Sequence, residues 1–224
     1  NEGLIRFNET IVDEPIKIAD TPIKKSLRDL GRVNDLVALA KSSNVYMFHI
    51  AMRLGGANYV YNGPLNIDKQ AFTTIRNTFS QFGLGTLTGI DVPSETVGYI
   101  GTSTLGGHLL DFVIGQYDTY TPMQLSQYIN TIANDGVRVK PRVVVEATIT
   151  NSNLTSYTNP VTVLSTLENV PAIQRVQDGF RLCVTDGYCS ALNDLPVAVA
   201  AKTGTAEAFM NDEAGNYFDS PNSL

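Results

Sequence analysis

What this sequence lacks closes off several classes of function. Lys and Arg total 16 against 22 Asp and Glu, a net charge of −6, so there is no basic footprint for nucleic acid. No apolar run approaches the ~20 residues of a membrane-spanning helix, and the N-terminus does not read as a signal peptide. With two histidines (His49 and His108), two cysteines (Cys183 and Cys189) and no C-x-x-C, a structural zinc site has no support. Internal repeats and low-complexity tracts are absent as well. What remains is an ordinary globular composition, 43% hydrophobic and 17% charged over 224 residues, enough for one large domain or most of one. The chain opens on Asn1 rather than methionine and closes on the turn-like Asp219-Ser220-Pro221-Asn222-Ser223-Leu224. It reads as incomplete at both ends.

Residues 1–32 mix short extended pieces with Pro15 and Pro22 and read as a surface excursion. Asn34 suits the cap of a helix running to Lys41. A second helix follows over 45–54, with Met47, Ile50, Ala51 and Leu54 inward, His49 packed beside them, and Gly55-Gly56 at its end. Phe72, Ile75, Phe79 and Phe82 recur at helical spacing. Gly106-Gly107 before His108 reads as a point of backbone freedom. The clearest helix covers 121–135: Thr121 caps it, Pro122 fits its first position, and Gln124 closes a capping box. Its apolar residues Leu125, Tyr128, Ile129 and Ile132 are expected to be buried. Alternation over 137–150 predicts strands, residues 151–160 a polar loop, and 171–185 a helix with Ile173, Val176, Phe180 and Cys183 or Val184 inward. Cys183 and Cys189 flank a segment containing Asp186-Gly187. They could pair in an oxidising compartment, but the expectation is two free thiols, one in the core and one in a loop.

Residues 196–209 carry the most chemistry. They begin as a small apolar run, Pro196-Val197-Ala198-Val199-Ala200-Ala201, which predicts a buried strand. Lys202, Thr203, Gly204 and Thr205 follow in the same extended segment, where alternation puts both threonines on one face and Lys202 with Gly204 on the other. Two hydroxyls on one face suit a carboxylate. Gly204 leaves room for another molecule's backbone, and the strand's N–H groups can pair with an extended peptide or stabilise an oxyanion. A bare K-T-G reads more readily as a surface strand ending in a polar turn, and it needs a partner. Its candidate partner is Ser42-Ser43-Asn44, an S-x-N pattern between two helical segments. Serine and asparagine there also suit a helix cap, and both readings stand on sequence alone.

The order of these motifs resembles the transpeptidase domain of class B penicillin-binding proteins. The resemblance runs from Leu39-Ala40-Lys41-Ser42-Ser43-Asn44-Val45-Tyr46 to Lys202-Thr203-Gly204-Thr205-Ala206-Glu207. Between these lie Phe82-Gly83-Leu84-Gly85, Thr88-Gly89-Ile90-Asp91-Val92-Pro93, Thr121-Pro122-Met123-Gln124-Leu125, Ile132-Ala133-Asn134-Asp135-Gly136 and Lys140-Pro141. The stretch over 59–82 leading into Gly83-Leu84-Gly85 looks most like the elongation-type subgroup of Gram-positive bacteria. The resemblance implies an α/β (α+β) fold of the penicillin-binding-protein and β-lactamase type, an antiparallel sheet flanked by helices. Residues 1–224 would form part of one such domain.

The implied activity is peptidoglycan D,D-transpeptidation through a serine acyl-enzyme. Ser42 would relay a proton to the departing nitrogen, Asn44 would bond the substrate amide, and Lys202 would supply positive potential and tune Ser42. Thr203 and Thr205 would bind the terminal carboxylate beside Gly204, with the Thr205 N–H as an oxyanion donor. No metal or organic cofactor is implied. Partners would be stem peptides ending in D-Ala-D-Ala, β-lactam antibiotics and other cell-wall synthesis proteins. The location would be the extracytoplasmic face of the membrane, through an N-terminal anchor not in this sequence. One departure matters: no serine in the chain has lysine three positions later, so the S-x-x-K nucleophile of the family is expected upstream of Asn1. The rivals are a β-lactam-hydrolysing or β-lactam-sensing relative, for which no loop carries a convincing deacylating Glu and only Glu95 and Glu146 are left to consider, and a non-catalytic cell-wall scaffold.

Overall fold

The computed structural model describes residues 3–151, 155–211 and 217–223. Its elements in chain order are β1 (Ile11–Val12), β2 (Arg32–Val33), α1 (Asp35–Ala40), α2 (Asn44–Leu54), α3 (Gln70–Gln81), α4 (Gly106–Val113) and α5 (Pro122–Ala133). β3 (Val137–Val139), β4 (Glu146–Thr148), β5 (Thr155–Thr158), β6 (Val163–Thr166), α6 (Val170–Asp186), β7 (Thr205–Asn211) and β8 (Tyr217–Ser223) complete the series. Among the described residues the strands pair as four two-stranded antiparallel ladders, β1-β2, β3-β6, β4-β5 and β7-β8. The architecture is the expected mixture of helices and antiparallel strands. Two compact units divide it.

The first unit comprises Asn1–Phe72, Gly101–Tyr117 and Arg175–Leu224. Its N-terminal stretch is only in part the surface excursion the sequence suggests: Phe7, Ile23 and Leu27 are exposed, but other residues enter the core. Ile16, Ile18 and Ile11 are buried, Ile11 sits opposite Val33 in the β1-β2 pair, and a cluster of Ile11, Val33, Ala38 and Tyr46 forms a core. The prolines interrupt regular strands there without preventing burial of the isoleucines between them. α1 is capped by the Asn34 side chain, which accepts from the Val37 N–H, as its sequence predicts. α2 buries Val45, Tyr46, Phe48, Ala51 and Met52, a wider face than the expected stripe; Met47 and Ile50 are only partly buried. His49 is half-buried, and burial lowers its pKa.

Where Gly106-Gly107 suggested a flexible point, α4 begins instead. A Cβ on Gly106 would stand 2.3 Å from the Leu65 carbonyl oxygen, so close approach rather than freedom selects this glycine. α4 brings Phe112 against Phe72, with centroids 5.9 Å apart, and His108 stacks on Tyr117 at 5.2 Å.

The expectation of free cysteines is also corrected. α6 runs on past Cys183 to Asp186, and the chain reverses through Gly187 so that the Cys189 N–H donates to the Cys183 carbonyl at 2.9 Å. That reversal leaves the two Cα atoms 5.1 Å apart, and Cys183 and Cys189 form a disulfide; the separation lies inside the bridging range.

The second unit comprises Thr73–Ile100 and Asp118–Gln174. α5 carries the full capping box: the Thr121 hydroxyl accepts from the Gln124 N–H, and Gln124 accepts from the Thr121 N–H. Its buried face differs from the apolar one read in the sequence. Gln124, Gln127, Thr131 and Ile132 are buried, whereas Leu125 and Ile129 are 38% and 47% exposed. The polar face goes inward because it finds acceptors there. Gln124 Nε2 donates to the Thr86 carbonyl at 2.7 Å, and Gln127 Nε2 to the Val139 carbonyl at 2.9 Å. Of the strands expected over 137–150 only β3 and β4 form, and neither alternates in burial. Between them the N–H groups of Val143 and Val144 donate to the Asp91 carboxylate instead of a ladder. Arg76 grips the buried Asp118 with two hydrogen bonds of 2.9 Å.

Candidate active site

The end of α1 and the start of α2 meet in a turn with unusual backbone. Ser42 has φ of 51°, the left-handed region that residues other than glycine seldom occupy. This kink ends α1 and lets Ser43 begin α2. Ser43 is the cap: its hydroxyl oxygen accepts from the Tyr46 N–H at 3.0 Å. The capping role and the chemical role left open by Ser-Ser-Asn therefore fall on different serines.

Beneath the turn lies a buried polar group that the sequence does not signal. The Ser43 hydroxyl donates to Asp13, as does the Ser26 hydroxyl at 2.7 Å, and Ser26 Oγ accepts from the Val45 N–H at 3.3 Å. All three side chains are at most 5% exposed. The carboxylate thus supports the first turn of α2, where the helix dipole favours negative charge. No local pattern marks Asp13, because its partners lie 13 and 30 positions away.

Across from the turn stand residues 202–205. The Lys202 ammonium donates to the Ser42 hydroxyl and, at 2.9 Å, to the Thr203 carbonyl. The Ser42 and Thr203 hydroxyls are 3.0 Å apart. Lys202 is exposed as a residue, yet the atoms crowded about its ammonium hinder its solvation and lower its pKa. Two neighbours in sequence, Lys202 and Thr203, thus reach one hydroxyl, which an alternating strand would not allow. β7 starts only at Thr205, and the apolar run before Lys202 is not a buried strand: Val197 is 66% exposed. That run is held by α6, with Arg181 Nη1 donating to the Val199 carbonyl at 2.6 Å and the Ala201 N–H to the Phe180 carbonyl at 3.1 Å.

Asn44 is the first residue of α2, and its Nδ2 donates to the Lys25 carbonyl at 3.2 Å. The hydrogen bonds joining Ser42, Lys202 and Thr203 do not include it. Among the described residues a Cβ on Gly204 would meet nothing within 4 Å. The Thr205 carbonyl accepts from Gln116 Nε2 at 3.4 Å, a second neighbour that the sequence did not flag. Glu95 is committed elsewhere: its carboxylate accepts from the Thr88 N–H at 2.6 Å, from the Thr88 hydroxyl, and from the Gly89 N–H at 3.1 Å. Burial raises its pKa, and these donors more than offset that, holding it below the usual range. Glu146 is exposed on β4.

Comparison with known proteins bears on this geometry. The profile of the penicillin binding protein transpeptidase domain matches residues 1–222. The chain belongs to this family. Penicillin-binding protein 2A of Bacillus subtilis is 46% identical over 214 residues, covering 92% of this chain and 30% of that protein. Penicillin-binding protein H of the same organism is 43% identical over 205 residues, covering 88% and 29%. Among solved structures, penicillin-binding protein 2B of Streptococcus pneumoniae superposes with a TM-score of 0.83 at 29% identity, over 99% of this chain and 38% of that one. The chain is a class B penicillin-binding-protein transpeptidase sequence with the mixed α/β fold of that family, and it spans about 30% of the length of the curated relatives it matches.

Proposed function

We propose that this chain supplies two walls of a peptidoglycan D,D-transpeptidase site. The observation that carries the reading is the meeting of Ser42, Lys202 and Thr203, residues with no reason to meet if Ser-Ser-Asn were only a cap. A serine nucleophile in an S-x-x-K segment elsewhere in the full-length protein attacks the penultimate D-alanine carbonyl of a stem peptide. The C–N bond to the terminal D-alanine breaks, and its nitrogen takes up a proton relayed through Ser42. An amine of a neighbouring stem then attacks the serine ester, forming the cross-link and returning the hydroxyl.

Lys202 holds positive potential against Ser42, in surroundings that lower its pKa by hindering solvation of the ammonium. Thr203 receives the substrate carboxylate together with Thr205, beside Gly204, and the Thr205 N–H donates to the oxyanion. Asn44 takes the substrate amide, exchanging its bond to the Lys25 carbonyl. The same pocket accepts β-lactams as stem-peptide mimics. The Cys183–Cys189 disulfide agrees with an oxidising, extracytoplasmic location, reached through a membrane anchor in the full-length protein. There the partners are other cell-wall synthesis proteins.

The test is covalent labelling of the full-length protein by a fluorescent penicillin, with release of D-alanine from a stem pentapeptide measured alongside. Lys202→Ala lowers both rates by about 100-fold or more, the range for loss of a proton-transfer partner. Labelling of Lys202→Ala at the wild-type rate rejects the roles assigned to Lys202 and Ser42. A full-length protein that never labels favours the scaffold reading.

A further inference from the structure

We propose that the Cys183–Cys189 disulfide is a positioning element of the site, holding the backbone before Ser42 and the backbone before Lys202 in one fixed register. The inference rests on the transpeptidase reading above. Ala40, Cys183, Val184 and Cys189 form one buried cluster, and Ala201 packs against it. Ala40 is two residues before Ser42, and Ala201 is the residue before Lys202. The bridge therefore belongs to the cluster in which Ala40 is buried and against which Ala201 packs.

Backbone contacts make the link specific. The Tyr188 N–H, between the two cysteines, donates to the Ala40 carbonyl at 3.3 Å. A Cβ on Gly187 would fall 2.4 Å from that carbonyl oxygen and 2.7 Å from the Cys183 Cα, so the turn closed by the bridge presses directly on the end of α1. On the other side the Ala201 N–H is bonded to the Phe180 carbonyl, about one turn back along α6 at the usual helical pitch. Lys41 and Asp186 add a surface ion pair at 3.9 Å, which is weak at such exposure.

The bridge closes a loop with a sequence separation of only 6. A loop that short constrains the unfolded chain less than a long-range bridge does, so the larger consequence lies in the native state. Without the bond, the turn over 187–189 is held by its hydrogen bonds alone. Ala40 and Ala201 can then shift independently, and the Ser42–Lys202 contact loses its fixed length. Proton relay through Ser42 depends on that length, whereas initial docking of a β-lactam against Thr203 and Gly204 depends on it far less.

The experiment compares the full-length wild-type protein, the double variant Cys183→Ala with Cys189→Ala, and Gly187→Ala, which keeps the bridge but forces the turn off Ala40. Penicillin acylation is resolved into a binding constant and an acylation rate constant across pH, well below each variant's melting temperature. The expected result is an acylation rate constant lowered about tenfold in both variants, with the binding constant within about twofold of wild type, as fits a misplacement of the relay group. The alkaline limb of the pH profile should also move toward that of an ordinary lysine. A double variant that melts lower but acylates at the wild-type rate with an unchanged pH profile makes the bridge a stability device and overturns the proposal. So does alkylation of both thiols in the native protein without prior reduction. If the double variant does not fold, wild-type acylation by Gly187→Ala overturns it. A wild-type protein that takes no penicillin fails the transpeptidase reading itself and takes this inference with it.

Discussion

The hydroxyls of Ser42 and Thr203 lie 3.0 Å apart although 161 positions separate them in the chain. Ser42 reaches that place from a left-handed backbone, a conformation that costs a residue with a Cβ about 1–2 kcal/mol. Ser42→Gly removes the strain and the hydroxyl together. The expected outcome is a melting temperature equal to or above wild type, with penicillin acylation reduced at least about tenfold, the usual order for loss of a proton relay. Calorimetry and labelling of the full-length protein read the two effects separately. Parallel loss of stability and labelling would mean that the hydroxyl's contacts outweigh the strain.

Asp13 accepts two buried hydroxyls, from Ser26 and Ser43. Asp13→Ala leaves both without an acceptor and should destabilise by about 2–4 kcal/mol, as losses of buried charge-assisted hydrogen bonds do. Asp13→Asn keeps one acceptor oxygen and should cost roughly half as much on the same scale. Urea unfolding of the two variants provides the measurement; equal costs would show that charge, not acceptor count, sets the effect.

Asp35 is held by Arg175 through bonds of 2.7 and 2.9 Å and accepts from the Asn8 N–H at 3.0 Å. Burial raises its pKa, and Arg175 and the Asn8 N–H outweigh burial, so the folded value lies below the ordinary 3.8. A depressed folded pKa gives stability that is present above the unfolded value and lost as pH falls through the folded one. Wild type should therefore lose stability relative to Asp35→Asn as pH falls from about 5 to below 3, the window in which such a carboxylate takes up its proton. Melting temperatures of the pair at several pH values test this, and a constant difference across the range would reject it.

Thr121 caps α5 and shares a capping box with Gln124. Thr121→Ala should cost about 1 kcal/mol and Thr121→Ser a few tenths at most, in line with helix caps elsewhere. Denaturation midpoints of the two variants decide it.

α5 also shows what the sequence could and could not disclose. Its start was legible because cap, proline and box all lie between Thr121 and Gln124. Its buried face was not, because Gln124 and Gln127 find their acceptors at Thr86 and Val139, and no local rule places those carbonyls. The same division holds at the site. Ser42, Asn44 and residues 202–205 stood out as motifs. Which serine caps α2 depended on the φ of one residue, and Asp13, Ser26 and Gln116 carry no motif at all. The cysteine pairing turned on how far α6 ran before Gly187. The apolar run before Lys202 looked like a strand, but α6 takes its backbone partners instead.

The separations of these contacts also bear on the order in which the site comes into being. Asp13, Ser26 and Ser43 fall within one continuous stretch, whereas Lys202 and Ser42 are 160 positions apart. Short loops close sooner and at less entropic cost than long ones. The Ser42 wall can therefore assemble while later parts of the chain are still searching, and Lys202 joins it afterwards. On the transpeptidase reading, a refolding or newly made chain would stay chemically silent, unable to trap a β-lactam, until that long-range contact forms. Penicillin labelling that lags behind tyrosine fluorescence during refolding of the full-length protein would show this delay, and simultaneous recovery of both signals would rule it out.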